Sequence, residues 1–402
     1  VSIGGVWFGQ YKIFFSIWAT LWAILFALVV YFLRKTARNL ALFTRFLNIF
    51  AGALIIISVA NITMYETRRA VHLKSRSTKL LESSSAMKTN PVNKEIAAKL
   101  PDIYYIILDG YDAASTLKEF YHYDNQEFLD DLTAKGFYVA SKSRSNYAFT
   151  DLSLASSLNM EYLNDLSDRL GRESKDLRIP EQMVENNKVM GFLKSRGYTF
   201  IHVRSGWPPT RRNRYADRDI GCDQFLEEGF VKLLVQTTVI DSLTHSTEPY
   251  RERILCQFSK LAQMDHIKEP FFVFAHIVAP HEPFVFGANG ERISNKEKER
   301  SDAKTLYLNQ LRFINTKVQE LIAEILSKSA YPPILILQGD HGSWSIGKLP
   351  TYEAKMKARM RIFNAYYFPP GDQVPVYDSI SPVNTFRIIF NYYLKCLCKV
   401  NN

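Results

Sequence analysis

The apolar positions of the chain form two kinds of segment. Two long runs near the start, about residues 11–33 and 46–65, approach the roughly 20 apolar residues that span a bilayer. Later runs are short and rich in β-branched and aromatic residues, which is typical of strands buried on both faces of a parallel sheet. The pattern predicts a membrane region at residues 1–70, a polar juxtamembrane linker at 71–100 and one large domain at 101–402.

The charges around the two long runs bear on their orientation. The loop between them contains Arg34, Lys35 and Arg38, and the positive-inside tendency places such a loop in the cytoplasm. Basic residues also follow the second run, from Arg68 to Lys79, and they favour the opposite orientation. Charge alone therefore leaves the topology open. Two buried core helices are the alternative interpretation of these runs.

The large domain alternates strand-like and helix-like patterns. Between the apolar runs lie segments with helical spacing, at about residues 125–135, 183–196 and 304–327. This alternation predicts an α/β fold, an α/β/α sandwich with a mostly parallel central sheet. The predicted strands lie at about residues 102–108, 137–141, 198–203, 271–277 and 333–338.

Polar residues of metal-ligand type follow two of the predicted strands. Asp109 ends the first, and the pair Asp340 and His341 ends the last, between two glycines. In open α/β sheets ligands bind beyond the carboxyl ends of the strands, so these side chains could converge on one divalent ion. A common Asp-Gly turn is the alternative for Asp109. A buried, hydrogen-bonded histidine is the alternative for His341.

Thr150 precedes a helical pattern made by Leu152, Ala155 and Leu158. Its hydroxyl is therefore expected at a helix N-terminus, where anions are favoured. A metal ion at this position would lower the pKa of the hydroxyl enough to make it a nucleophile. The alternative is a simple N-cap.

Composition narrows the function classes. The formal charge is +10, but lysine and arginine are spread along the chain without a nucleic-acid-binding motif, so we expect no nucleic-acid partner. The four cysteines form no metal-binding pattern. Cys222 and Cys256 are either a disulfide or two ordinary thiols. Cys396 and Cys398 alternate along a possible strand, which would point them to opposite faces.

Four motifs occur along the large domain in a fixed order. They are Leu108-Asp109-Gly110, Asn146-Tyr147-Ala148-Phe149-Thr150, Ala279-Pro280-His281-Glu282-Pro283-Phe284 and Gly339-Asp340-His341-Gly342. Together, over roughly residues 101 to 390, they resemble the alkaline phosphatase/sulfatase superfamily. Within it, the chain looks most like membrane-anchored, lipoteichoic-acid-synthase-like phosphotransferases. The ordered set is much more specific than any single motif.

The resemblance implies a specific site. Thr150 would be the covalent nucleophile, and His281 would contact the substrate phosphate and act in catalysis. One divalent metal ion (Mn, Zn or Mg) would be held by a set of four residues, namely Asp109, Thr150, Asp340 and His341.

Other polar residues have more than one interpretation. Arg204 and Arg214, near Trp207, are basic residues able to clamp a phosphate, although a solvated loop face is an equally good interpretation. His276 lies inside an apolar run, and we expect it to be a core histidine with its hydrogen bonds satisfied.

The resemblance also implies a location and a reaction. It indicates a multi-pass protein of the cell membrane with an extracytoplasmic catalytic domain, which resolves the orientation that charge leaves open. The donor would be a membrane lipid, and the acceptor an envelope glycan or lipid. A phosphate- or sulfate-ester hydrolase and a metal-free scaffold protein are the alternatives.

Three departures from the relatives shape this expectation. The chain has no Cys/Ser-x-Pro-x-Arg pattern of the kind that type I sulfatases convert to formylglycine, which disfavours sulfate ester hydrolysis by that route. No second Asp/His set at a matching spacing accompanies the first, which favours a single metal ion. Lipoteichoic acid synthases carry Glu where this chain has Asp109, so the substrate stays open.

Overall fold

The structure is a computed structural model, and it divides into two units, Val1–Ser75 and Arg76–Asn402. We describe each unit by itself. The residues that the structure describes are 20–32, 34–35, 41–85, 100–171, 174–222, 248–264, 267 and 270–400.

The N-terminal unit is helical where it is described. Helix α1 covers Thr20–Phe32, and helix α2, which covers Ala41–Ser85, begins in this unit. Within α2, Ala41–Asn61 is long and apolar enough to cross a membrane, with a mean hydropathy of 2.0 and none of its most apolar window buried. A helix that exposes apolar side chains in this way suits a lipid environment. The α1 segment is apolar but shorter, and residues 11–19 of the first predicted span lie outside the described residues.

A seven-stranded sheet forms the centre of the large unit. Its strand order is β2-β7-β6-β1-β5-β3-β4. Strand β1 lies in the middle and runs parallel to both β5 and β6, while β7 runs antiparallel to β6 and β2. The predicted mostly parallel sheet is therefore confirmed. The strands are Ile103–Leu108 (β1), Tyr138–Val139 (β2), Thr199–Val203 (β3), Arg218–Ile220 (β4), Phe271–Ile277 (β5), Ile334–Gln338 (β6) and Asn364–Tyr367 (β7).

Helices cover both faces of this sheet. Tyr104, Ile106 and Leu108 of β1 point into one apolar core, and the alternate residues of the strand point into a second core on the other face. This alternation follows from the period of two along a strand, and it confirms the α/β/α sandwich. The helices are Ala114–Tyr121 (α3), Gln126–Ala134 (α4), Thr150–Asn159 (α5), Asn164–Leu170 (α6), Arg178–Glu185 (α7), Lys188–Ser195 (α8), Glu248–Leu261 (α9), Asn295–Arg300 (α10), Ala303–Lys328 (α11), Tyr352–Arg359 (α12) and Pro382–Leu394 (α13).

Two local predictions are wrong. The single helix expected at 183–196 is two helices, α7 and α8, because the side chain of Asn187 caps α8 by accepting a hydrogen bond from the Met190 backbone N–H. Cys396 and Cys398 do not alternate along a strand, since the segment after α13 is irregular and the two residues form a disulfide with each other. A second disulfide joins Cys222 to Cys256, which decides between the two interpretations of that pair.

Candidate metal centre and active site

Four of the predicted site residues meet at the carboxyl edge of the sheet. Asp109 follows β1 directly, while Asp340 and His341 come just after β6, its parallel neighbour. Thr150 is the first residue of α5. All four side chains are buried, with at most 3% of their surface exposed. Because parallel strands end at the same edge, three side chains from distant parts of the chain converge there.

The cluster is centred on Nε2 of His341. This atom lies 3.0 Å from Oγ1 of Thr150, 3.4 Å from Oδ2 of Asp340 and 3.7 Å from Oδ1 of Asp109. One oxygen of each carboxylate is used by the protein. Asp340 Oδ1 accepts hydrogen bonds from the backbone N–H groups of Gly110 and His341, and Asp109 Oδ2 lies 3.2 Å from His276 Nε2.

The other oxygen of each carboxylate has no partner. Asp109 Oδ1 and Asp340 Oδ2 are buried and accept no hydrogen bond from any residue that the structure describes. A buried, unpartnered carboxylate oxygen is costly unless a cation or a donor satisfies it. These two oxygens, the Thr150 hydroxyl and an imidazole nitrogen form a donor set that suits Zn²⁺, Mn²⁺ or a similar divalent ion. The residues therefore fit one metal ion, and Asp109, Asp340 and His341 form a candidate metal-binding group by proximity alone.

The backbone at Gly110 helps to build this arrangement. Gly110 has a φ of +73°, a left-handed conformation that favours glycine. The turn directs its N–H toward Asp340 Oδ1 at 3.1 Å. It also leaves a hypothetical Cβ atom only 3.5 Å from the backbone of His281. The Asp-Gly pair is therefore a turn, as the alternative interpretation held, and it carries a candidate metal ligand as well.

Charge and burial act in opposite directions on the cluster. Burial acts to raise the pKa of Asp109, but His281, His276 and His341 outweigh it, and the net pKa lies below the ordinary value. Burial lowers the pKa of His341, and the negative charges of Asp340 and Asp109 only partly offset it. A neutral imidazole and an ionised carboxylate are the protonation states that metal coordination needs.

Thr150 is not the N-cap of its helix. Phe149 occupies the cap position, and Thr150 is the first helical residue with its hydroxyl directed at His341. The simple N-cap interpretation is therefore wrong. Ser153, one turn further along α5, donates a hydrogen bond to the Asp340 carbonyl at 2.7 Å. This bond ties the helix to the end of β6 and so holds the hydroxyl beside the two metal-ligand candidates.

His281 lies in the loop after β5 and faces the same cluster. Its backbone N–H donates to the Asp109 carbonyl at 2.9 Å, and its ring Nδ1 lies 2.5 Å from the Glu282 carbonyl. The ring centre is 6.2 Å from that of His341. Burial acts to lower the pKa of His281, but the charge of Asp109 prevails and the net pKa is raised. With Nδ1–H donated to the carbonyl, Nε2 remains available to a substrate.

The predicted phosphate-clamping arginines are engaged elsewhere. Arg204 Nε donates to Asp219 Oδ2 at 2.8 Å, and Arg214 Nε donates to Glu185 Oε1 at 2.8 Å. A substrate role for the two arginines stays a prediction. Trp207 lies closer to the site, with its ring centre 5.8 Å from that of His281.

His276 is a satisfied core histidine. It is fully buried, its Nδ1 lies 2.8 Å from Thr210 Oγ1, and its Nε2 lies 3.2 Å from Asp109 Oδ2. The apolar pattern of β5 gave no signal for the second contact. Because that contact occupies one oxygen of Asp109, His276 orients the carboxylate and leaves the other oxygen to the cluster.

Sequence reasoning missed Arg359, at the end of α12. Its side chain is fully buried, its Nε donates to the Gly342 carbonyl at 2.9 Å, and its Nη2 lies 2.9 Å from Nδ1 of His341. The guanidinium also stacks on Trp344, 3.6 Å from the ring centre. In the tautomer that leaves Nε2 free for a metal ion, His341 Nδ1–H donates to the same Gly342 carbonyl at 3.0 Å. Arg359 therefore supports His341 through that carbonyl, on the side opposite the cluster. Nothing in the sequence separates it from the other basic residues of α12.

The fold and the cluster together define an enzyme of the alkaline phosphatase/sulfatase superfamily. The family model described as Sulfatase matches residues 101–373, so the chain belongs to the Sulfatase family and is a sulfatase-like hydrolase or transferase. No curated protein sequence gives a significant match.

Several solved structures are similar to the chain at low identity. The lipoteichoic acid synthase LtaP from Listeria monocytogenes has 12% identity and a TM-score of 0.51, over 78% of this chain and 77% of that one. The C-terminal periplasmic domain of EptC from Escherichia coli, in complex with Zn, has 12% identity and a TM-score of 0.49, over 76% and 87%. The lipooligosaccharide phosphoethanolamine transferase A from Neisseria meningitidis has 12% identity and a TM-score of 0.49, over 77% and 57%. At these identities the likeness concerns the fold.

Proposed function

We propose that this protein is a metal-dependent, membrane-anchored phosphotransferase. It moves a phosphoryl-containing head group, of phosphoethanolamine or phosphoglycerol type, from a lipid donor to an envelope glycan or lipid. The group passes through a covalent intermediate on Thr150. The catalytic domain faces away from the cytoplasm, and the chain crosses the cell membrane more than once.

One observation carries the proposal. The Thr150 hydroxyl lies 3.0 Å from His341 Nε2, in a buried cluster that also contains two unpartnered carboxylate oxygens. A threonine with only a structural role would not require an imidazole and two unpartnered carboxylate oxygens around its hydroxyl. A divalent ion held by Asp109, Asp340 and His341 would lower the pKa of the Thr150 hydroxyl and neutralise charge on a phosphoryl group.

The protein residues around the cluster have separable roles. Thr150 reacts as its alkoxide, after losing its proton to solvent: Oγ1 forms the new bond to phosphorus, and the bond from phosphorus to the diacylglycerol oxygen breaks. His281 gives a proton to that leaving oxygen. The hydroxyl of the acceptor then attacks phosphorus, loses its proton to the same histidine, and releases Thr150 as the alkoxide, ready for the next cycle. The N-terminus of α5 adds oriented N–H groups for the phosphoryl oxygens.

The membrane features support a lipid donor and the orientation. Ala41–Asn61 is apolar and unburied, so a bilayer is its natural environment and a lipid head group is the nearest substrate. The Cys222–Cys256 disulfide suits an oxidising compartment outside the cytoplasm. A similar fold carries this type of chemistry, since one of the related solved structures is a lipoteichoic acid synthase.

The test uses the full chain in detergent micelles with a fluorescent phosphatidylethanolamine and a fluorescent phosphatidylglycerol. We expect release of fluorescent diacylglycerol from one of them, loss of release in Thr150→Ala, and partial activity in Thr150→Ser. Intact-protein mass spectrometry should find an adduct on the wild type, and its mass identifies the head group.

The outcome also separates transfer from hydrolysis. Addition of a glycerol-terminated glycolipid as acceptor should raise the rate and yield a labelled product. If water alone resolves the adduct and no acceptor changes the rate, the protein is a hydrolase. Full activity of Thr150→Ala would refute the threonine intermediate, and failure to bind any divalent ion would favour a scaffold protein.

A further inference from the structure

A second cleft lies outside the metal cluster. It encloses about 590 Å³, within the range of about 300–1,000 Å³ that is usual for small-molecule sites. Its walls come from residues 141–146 together with Ala113, Ser115, Arg361, Ser379 and Ser381. Six of the eleven lining residues are serines, three are the cations Lys142, Arg144 and Arg361, and none is a carboxylate.

The two arginines of this cleft lie opposite each other along the backbone. Arg144 and Arg361 are directly opposite residues of an isolated antiparallel bridge. Directly opposite residues project to the same side of the pair, with Cβ atoms about 5 Å apart, and like charges in this arrangement repel. An anion bound by both arginines would offset this repulsion, because guanidinium groups bind oxyanions through paired hydrogen bonds.

The cations of the cleft are only partly neutralised by the protein. Arg361 donates to Glu119 at 2.6 Å, and Lys142 lies 3.9 Å from Asp378, in a pair that is largely solvent-exposed. Arg144 forms no ion pair or side-chain hydrogen bond with the residues that the structure describes. The cleft therefore carries a net positive charge. Arg144 is the cation of the cleft that has no ion-pair partner among the described residues.

The serines divide into two groups. Ser143, Ser145 and Ser381 use their hydroxyls in hydrogen bonds within the protein. The other three, Ser115, Ser141 and Ser379, are exposed, and their hydroxyls bond to no other side chain or carbonyl in the described part of the chain. Hydroxyls that both donate and accept, next to cations, match a ligand that combines sugar hydroxyls with an anionic group.

We propose that this cleft binds an anionic saccharide, a sugar that carries a phosphate or a sulfate group. Arg144 and Arg361 hold the oxyanion, and the free serine hydroxyls bond to the sugar ring. The cleft also shares a wall with the loop that leads into α5. Asn146, which lines the cleft, donates to Ser156 of that helix at 3.2 Å. A role as the acceptor site of the transfer rests on the proposed function, whereas saccharide binding does not.

The test is calorimetric titration of the full chain in detergent micelles, with divalent metal removed by EDTA. The probes are glucose 6-phosphate, glucose 6-sulfate, glucose and inorganic phosphate. We expect one or both anionic sugars to bind at least about tenfold more tightly than glucose or phosphate alone, and the stronger of the two identifies the oxyanion. Equal affinity for phosphate alone would overturn the saccharide assignment.

Variants locate the site. Arg144→Glu should weaken binding by about tenfold or more, whereas His281→Ala in the metal cluster and Arg300→Glu on an exposed helix end should leave it unchanged. Lys142→Glu, at a side chain that is 75% exposed, is a second test should Arg144→Glu fail to fold. Loss of binding in His281→Ala but not in Arg144→Glu would overturn the proposal. A protein that binds the sugar phosphate but shows no lipid turnover would refute the proposed function alone.

Discussion

The two ends of strand β1 each carry an aspartate, and the two carboxylates differ in almost every respect. Asp102, before the strand, accepts a hydrogen bond from the Phe271 backbone N–H at 3.0 Å, and burial raises its pKa to about 6. Asp109, after the strand, is fully buried, has a lowered pKa and keeps one oxygen without a partner. One strand therefore separates a carboxylate bonded within the sheet from a candidate metal ligand.

The difference teaches that burial alone does not mark a functional carboxylate. Asp102 joins β1 to its neighbour β5 through one bond, and its partner is part of the sheet itself. Asp109 lies near three histidines, and its Oδ1 accepts no hydrogen bond from the described residues, so this oxygen is available to a cation. The informative feature is the unpartnered atom among ionisable groups.

The largest effect is expected from Asp109→Asn, with Asp102→Asn as the matched control. Removal of the charge at Asp109 removes a metal-ligand candidate. Loss of a residue that only hydrogen-bonds to a metal ligand typically costs about 10–100-fold in metal affinity or activity. We therefore expect bound metal and diacylglycerol release to fall by more than that in Asp109→Asn. Asp102→Asn should change both by less than about twofold, because its contact lies at the other end of the strand. If both variants lost bound metal and diacylglycerol release to the same extent, the proposed difference between the two carboxylates would be wrong.

Arg359→Lys should weaken the metal site without removing a ligand. Lysine cannot reproduce the two contacts that Arg359 makes with Gly342 and His341, so the imidazole loses its support. We expect metal affinity to fall about 10–100-fold. Arg361→Lys, two residues away and paired with Glu119 at the surface, is the control. A change in the unfolding midpoint with unaltered metal affinity would reduce Arg359 to a packing role.

Gly339→Ala tests how closely the carboxyl edge is packed. A Cβ atom at Gly339 would lie 2.5 Å from the Tyr111 carbonyl oxygen, so backbone has to move. Overpacking of this kind lowers the free energy of unfolding by about 2 kcal/mol. Gly191→Ala in α8, where a Cβ atom meets nothing within 4 Å, should instead stabilise by up to about 1 kcal/mol. Urea unfolding measures both, and equal midpoints would contradict the close approach.

The smallest effect concerns Asp102 and pH. Its folded pKa of about 6 exceeds its ordinary 3.8, so the folded state holds a proton that the unfolded state has lost. Stability therefore falls as pH rises from about 4 to 6, and the loss persists above that range. Because the group is partly exposed, we expect Asp102→Asn to be more stable by only about 1 kcal/mol at pH 7, and similar to wild type below pH 4. A pH-independent difference would rule out this titration.

The local sequence pattern was sufficient to locate most of the predicted strands and helices of the large domain. Short apolar runs located β1, β2, β3, β5 and β6, and helical spacing located α4 and α11. Strand β4, with only Arg218–Ile220, has no apolar run, and the polar residue Asn364 begins β7, so neither was predicted. Both strands exist because a neighbour provides hydrogen-bond partners, which no local pattern contains.

The features of the site also divide into those that the sequence determined and those that only the tertiary structure decided. The sequence by itself determined that Asp109, Thr150, Asp340 and His341 stand at the ends of regular elements, since periods of two and 3.6 residues locate those ends. Only the tertiary structure decided which atoms stay unpartnered and that Arg359 supports His341. The reason is distance along the chain. Gly110 and Asp340 meet across 230 residues, and Thr150 and His341 across 191, so the partner of each polar atom is decided by how the strands assemble.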